Sequence, residues 1–279
     1  MSREIVQLAN GGLCLTVDAP PDADTRPILL LAAMGVPARF YSRFVGELTA
    51  AGHPVVRVHW RDEDRDFPKR NPGYGYAQLA EVDVPAAARY TRERFGADPV
   101  VVGHSLGGQI AATSAAEGGP YAGIVILASG TNHWRGSGPL WALGLLFVCC
   151  FWAPLVVRVL GFWPGMRFGF GGRQPRQMML DWSRLGRTGK FLPAGARIDH
   201  ERALAELSLP VLAFSVAGDH YVTPGAMRNL TEKLTGCEVD HVHWRADNHD
   251  QRGHFNWAMA KDGPSRELLA WIDVAAPNA

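Results

Sequence analysis

Ser105 lies in Gly103-His104-Ser105-Leu106-Gly107, with Pro99-Val100-Val101-Val102 before it and Gln109-Ile110-Ala111-Ala112 after it. The valine run predicts a buried strand and the alanine-rich stretch a helix. A serine on a sharp turn between two such elements projects its hydroxyl above the end of a sheet. Backbone closes in on the positions two before and two after that serine, so a side chain there would collide. Gly103 and Gly107 occupy those positions, and Gly108 extends them. The chemistry implied is nucleophilic. A serine hydroxyl attacks only when a base takes its proton. That base is ordinarily histidine, and a carboxylate sets its tautomer and stabilises the imidazolium.

With the serine on such a turn, the acid and then the histidine are expected further along the chain, at strand ends. Asp219 follows the apolar run Leu209–Phe214 directly; Gly218 permits a turn, and Pro224 can open the next helix. Its competing reading is a turn aspartate that satisfies local backbone donors. His249 and His254 both follow the last apolar run and compete as base. His254 is the expected one, because Gly253 can present it and Phe255 and Trp257 can anchor the chain just after it. His249 lies in a wholly polar stretch. His104 and His220 are expected to point away, by alternation along the chain. An oxyanion needs two aimed donors. The main-chain N–H of Leu106 is one; that of Met34, in the loop after Ile28–Leu31, is the other, with Gly35 allowing close approach.

The remaining sequence must hold these groups. Ile5–Leu8 and Leu13–Val17 flank Asn10-Gly11-Gly12, which predicts an antiparallel hairpin. Strand-like and helix-like segments then alternate to the C-terminus, predicting an α/β fold with a mostly parallel sheet covered on both faces. Residues 130–207 interrupt the alternation. No charged side chain occurs between Arg135 and Arg158, and Leu140–Trp152 is apolar on every side. By length this is a candidate membrane span. A single span, however, would put Ser105 and Asp219 on opposite sides of a bilayer. The expectation is a helical lid, residues 130–207, inserted into a core of 1–129 and 208–279. Trp141, Leu145, Phe151 and Trp152 would contact an apolar substrate.

Of 279 residues, 47% are apolar and 20% charged, and the net charge is +1, which gives no case for nucleic acid as a partner. Cys14, Cys149, Cys150 and Cys237 lack zinc-site spacing and are too few for a disulfide framework. Met1–Ile5 has no signal-peptide character, so a cytoplasmic setting is expected. No metal or organic cofactor is implied. The mixed-charge run from Arg61 to Arg70 reads as a solvated loop, with a docking surface as its alternative.

These motifs resemble the α/β-hydrolase superfamily over nearly the whole chain. Ala33-Met34-Gly35-Val36-Pro37 with Phe40-Tyr41, Gly103–Gly108, Gly218-Asp219 and Gly253-His254-Phe255 resemble a bacterial group of serine hydrolases. Gly161–Gly165, Asp181-Trp182 and Arg187–Phe191 resemble that group's lid. The resemblance implies an α/β-hydrolase fold and a Ser105, Asp219, His254 triad. Two places depart from it: Ala32-Ala33 replaces a common His-Gly pair, and the 61–70 run replaces a glycine-containing loop. The expected activity is cleavage of an ester or thioester with a hydrophobic acyl or alcohol part. Acyl transfer or cyclisation by the same triad is the alternative within the enzyme class. A binding protein that uses the apolar insertion is the alternative outside it. The expected partners are a hydrophobic small molecule and, through the lid, a membrane surface touched peripherally. The oligomeric state stays open.

Overall fold

A computed structural model describes residues 2–8, 13–21, 23–61, 73–136, 139–246, 252–260 and 263–277, the side chains of 139–142 excepted. The Asn10–Gly12 turn, the charged run beyond Arg61 and His249 fall outside these residues. The chain opens with the expected hairpin, β1 (Ser2–Gln7) paired antiparallel to β2 (Cys14–Ala19). Next come β3 (Ile28–Leu31), α1 (Ser42–Ala50) and β4 (Val55–His59). The next helix is built from α2 (Tyr76–Gln78), a π-turn (Leu79–Asp83) and α3 (Val84–Phe95). Strand β5 (Val100–His104), α4 (Leu106–Glu117) and β6 (Gly123–Leu127) then lead to the insertion.

The eight-stranded sheet runs β1-β2-β4-β3-β5-β6-β9-β10, where β9 is Val211–Val216 and β10 is Val239–Trp244. From β4 to β10 every neighbour is parallel; β2 alone runs the other way, antiparallel to both β1 and β4. Strands β3, β5 and β6 are buried at every position. Their unbroken Ile, Leu and Val content follows from being covered on both faces. The step from β3 to β4 runs one way along the sheet and the step from β4 to β5 runs back. Right-handed crossovers therefore place α1 on one face and α3 on the other. All parallel strands end on the same side, and the loops of the site leave from there.

The insertion contains α5 (Pro139–Phe147), a second π-turn (Val148–Trp152) and α6 (Ala153–Leu160), which form one continuous helix. Strands β7 (Phe162–Pro164) and β8 (Arg173–Pro175) pair antiparallel around the short α7 (Gly165–Phe168), and α8 (Arg176–Thr188) comes next. The insertion is thus helical with a small β-hairpin, which the apolar run gave no sign of. The chain then returns through α9 (His200–Glu206), packed against α4, and continues with α10 (Pro224–Thr231) and α11 (Ser265–Ala275). Both π-turns end two residues before a proline, Pro85 and Pro154. Proline has no N–H for the carbonyl one turn back. At the first site that carbonyl, Glu81 O, instead accepts Arg197 Nη2 at 2.7 Å.

A buried polar contact fastens the insertion to the core, the Tyr76 N–H donating to Asp181. Asp181 on α8 accepts the N–H groups of Tyr76 and Ala194, both at 3.1 Å, and Gln177 Nε2 at 2.9 Å. Burial nonetheless raises its carboxyl above the ordinary range. Arg61, at the start of the charged run, forms a two-pronged pair with Asp83, both contacts at 2.8 Å.

Candidate active site

Ser105 links β5 to α4 with φ 54° and ψ −114°, a backbone conformation that costs on the order of 1–3 kcal/mol for a residue with a side chain. The surroundings enforce it. A Cβ at Gly103 would stand 2.3 Å from Gly107 main chain, and one at Gly107 would stand 2.3 Å from Leu31 O. The Ser105 N–H donates to Leu127 O at 3.1 Å, and Ser129 Oγ donates to Ser105 O at 2.5 Å. Neighbouring strand and loop thus hold the turn from outside.

The β9 and β10 loops bring the other two groups. Asp219 Oδ2 accepts from His254 Nδ1 at 2.8 Å. Its Oδ1 accepts the N–H groups of Tyr221 at 2.8 Å and Val222 at 2.9 Å. Both side chains are almost wholly buried. The aspartate is therefore held from two sides, and its pairing with Nδ1 leaves the opposite ring nitrogen, Nε2, for substrate chemistry. Gly253 adopts φ 100°, and Trp257 Nε1 donates to His254 O at 2.9 Å, as expected of the flanking residues.

Ser105, Leu106, Met34 and His254 line one cavity of about 170 Å³. Leu106 is the first residue of α4, so its N–H lies among those left without an intrahelical acceptor. The helix dipole favours negative charge at that end. Residues 28–269 match the model of the alpha/beta hydrolase family. The chain belongs to the alpha/beta hydrolase family. A search of curated proteins returned no match. Solved structures similar to this hydrolase include an esterase domain from Rhodothermus marinus (16% identity, TM-score 0.61, 98% of each chain). A thioesterase domain from the curacin biosynthetic pathway aligns at 14% identity and TM-score 0.58, again over 98% of each chain. Est816, titled an N-acyl homoserine lactone degrading enzyme, aligns at 21% identity and TM-score 0.56 over 96% of this hydrolase and 99% of its own chain. Identities this low establish a common fold and nothing finer.

The insertion meets the cavity differently from expectation. Leu145 lines it, joined by Phe170, Gly171 and Trp182. Phe151 and Trp152, expected to contact substrate, do not line it; Phe151 is 66% exposed and Trp152 36%. In an apolar run without polar residues, no periodic signal tells the inner face from the outer. The Trp141 side chain lies outside the described residues. Sequence reasoning also missed Tyr221, Val222 and Phe255 as lining residues, although Tyr221 adjoins His220 and Phe255 adjoins His254. The Gly169-Phe170-Gly171-Gly172 run was the available signal for Phe170. A Cβ on Gly35 would stand 2.5 Å from Gly171 main chain, so the insertion backbone rests directly on the Met34 loop.

His104 points away from the serine as expected, but it is more than packing. Tyr41 Oη accepts the Ala33 N–H at 2.9 Å and shares a hydrogen bond with His104 Nδ1 at 2.8 Å. The His104 ring lies against that of His254, centroids 4.8 Å apart. One buried chain therefore connects the Met34 loop to the histidine. Complete burial, and secondarily His254, hold His104 well below the usual histidine range. It stays neutral in the fold but binds a proton in the unfolded chain below about pH 6.5. Its share of stability is therefore full above that pH and lost as the pH falls below it, at about 1.4 kcal/mol per pH unit. Denaturant unfolding of the native protein and His104→Gln checks this. The glutamine variant is less stable at neutral pH, and the gap narrows by about 1.4 kcal/mol per unit below pH 6.5. A gap independent of pH would remove His104 as the titrating group.

Proposed function

We propose that this hydrolase cleaves an ester or thioester with an apolar acyl or alcohol part through a Ser105 acyl-enzyme. The observation that carries the reading is the 2.8 Å pairing of buried Asp219 with His254, beside a cavity that His254 shares with Ser105. His254 Nε2 takes the Ser105 proton as Oγ attacks the carbonyl carbon. The oxyanion that forms is met by the Met34 and Leu106 N–H groups. Collapse expels the alcohol or thiol, which leaves with the proton from His254. A water then gives its proton to His254, attacks the acyl carbon and releases the acid, and Ser105 recovers its proton. The esterase and thioesterase neighbours are in keeping with this chemistry, though they speak for the fold alone.

Leu145, Phe170, Trp182, Val222 and Phe255 make much of the cavity wall apolar. A series of p-nitrophenyl and thiol esters of rising acyl length tests the substrate part. Each methylene buried by the wall adds up to ~0.8 kcal/mol, roughly fourfold in kcat/KM. The expected result is such a rise over the first carbons, then a plateau where the cavity ends. A flat series would sink the apolar-substrate reading. Failure of a fluorophosphonate to label the protein would sink the hydrolase reading itself.

A further inference from the structure

The outer face of the long insertion helix is apolar, exposed and unexplained by the site. Leu143, Phe147, Phe151, Leu155 and Val159 recur every four residues along α5, the π-turn and α6, each between 57% and 72% exposed. Phe168 extends the patch, because its ring packs on Trp152 with centroids 5.5 Å apart. Leu143–Leu160 has a mean hydropathy of 2.3 and is long and apolar enough to cross a bilayer. It is not free to do so. Its inner face, Cys149, Ala153, Val156 and Val157, is buried, the last three in one cluster with Trp163 and Met179 of the same insertion. Strands β6 and β9, which enter and leave the insertion, are also adjacent and parallel in one sheet.

Charge indicates what covers this face. Residues 130–198 contain eight arginines and one lysine against a single acid, Asp181, in a chain of net charge +1. That acid is buried and faces the core, as its bond from the Tyr76 N–H shows. Arg158 lies one residue before Val159 on the helix, and Arg167 lies between Met166 and Phe168. Both are exposed, and among the described residues neither has a carboxylate partner. An apolar stripe flanked by arginines is the pattern of a helix lying in the plane of an anionic membrane, its apolar side sunk into the boundary of the acyl chains. We infer that the Leu143–Val159 stripe, with Arg158 and Arg167, docks the hydrolase on the surface of an anionic lipid bilayer. Leu145, on the same helix, lines the cavity, so docking sets the cavity wall beside the lipid phase.

The inference stands apart from the proposed activity, since it is tested without turnover. The full chain is sedimented with vesicles of phosphatidylcholine, with and without phosphatidylserine, at low and high salt. Expected is binding to the anionic vesicles, weakened by salt and at least roughly tenfold weaker on phosphatidylcholine alone. Phe147→Asp/Leu155→Asp replaces two exposed side chains outside the cavity. It should reduce anionic binding by more than about tenfold while thermal unfolding and fluorophosphonate labelling stay native. Arg158→Glu/Arg167→Glu should remove the preference for phosphatidylserine. Ser105→Ala should bind like the native protein, so loss of the hydrolase reading would leave docking intact. Native protein that ignores both vesicles, or a Phe147→Asp/Leu155→Asp variant that binds as well as native, overturns the inference. A dimer in solution that this variant splits, with no vesicle binding, would assign the face to a second copy of the chain.

Discussion

Ser105→Ala is expected to lower turnover by ~10⁶ while leaving the fold in place, a magnitude drawn from knock-outs of other serine triads. Both halves rest on the turn. The contacts that hold residue 105 are main-chain ones, its N–H to Leu127 O and its carbonyl from Ser129 Oγ, and alanine keeps them. Stability should therefore stay within about 0.5 kcal/mol of native. Removal of Oγ leaves the proposed Met34 and Leu106 donors in place, so a small residual rate over water is expected. Intact-mass measurement with a fluorophosphonate reads the result: one adduct on the native chain and none on the variant. An equal adduct on the variant would place the nucleophile elsewhere.

His254→Ala is expected to be about as damaging, because serine and histidine act as a unit. It should nearly abolish phosphonate labelling, whereas His249→Ala should leave most of it. The distinction comes from Asp219, whose Oδ2 is engaged by His254 Nδ1 at 2.8 Å and whose Oδ1 is engaged by two backbone N–H groups. Asp219→Asn would retain the shape and lose the tautomer control, with an expected loss on the order of 10⁴. His254→Ala also strips a buried carboxylate of one partner, at a cost of about 1–3 kcal/mol in stability, which thermal unfolding would register. If His249→Ala alone silenced labelling, the base would move to that residue, and the serine and aspartate would keep their proposed roles.

Much of the site was legible because its constraints are local. Glycine at 103 and 107 is demanded by atoms within a few residues or on the adjoining strand, and the strand–serine–helix order is written in consecutive residues. The Asp219 and His254 positions were legible for a related reason: each comes after an apolar run, and strands of a parallel sheet deliver their loops to one end. His104 shows where local reasoning stops. Alternation told which way its ring turns, but its partners are Tyr41, 63 residues away in the chain, and His254, farther still.

By itself, the sequence determined the serine turn, the alternation of strands and helices, and the positions of Asp219 and His254 in loops after the later strands. Each is set by side-chain volume, backbone freedom or periodicity over a short stretch. The tertiary structure decided which insertion residues meet the cavity and which meet solvent. Leu145, Phe170 and Trp182 turn inward, while Phe147, Phe151 and Leu155 turn out. The α5 half of the helix, apolar on every side, carries little moment to orient it, and a π-turn ahead of Pro154 shifts its phase midway. Its orientation is chosen by what packs beneath it, Met179 and Trp163 from the same insertion, and that packing exists only once the chain has folded.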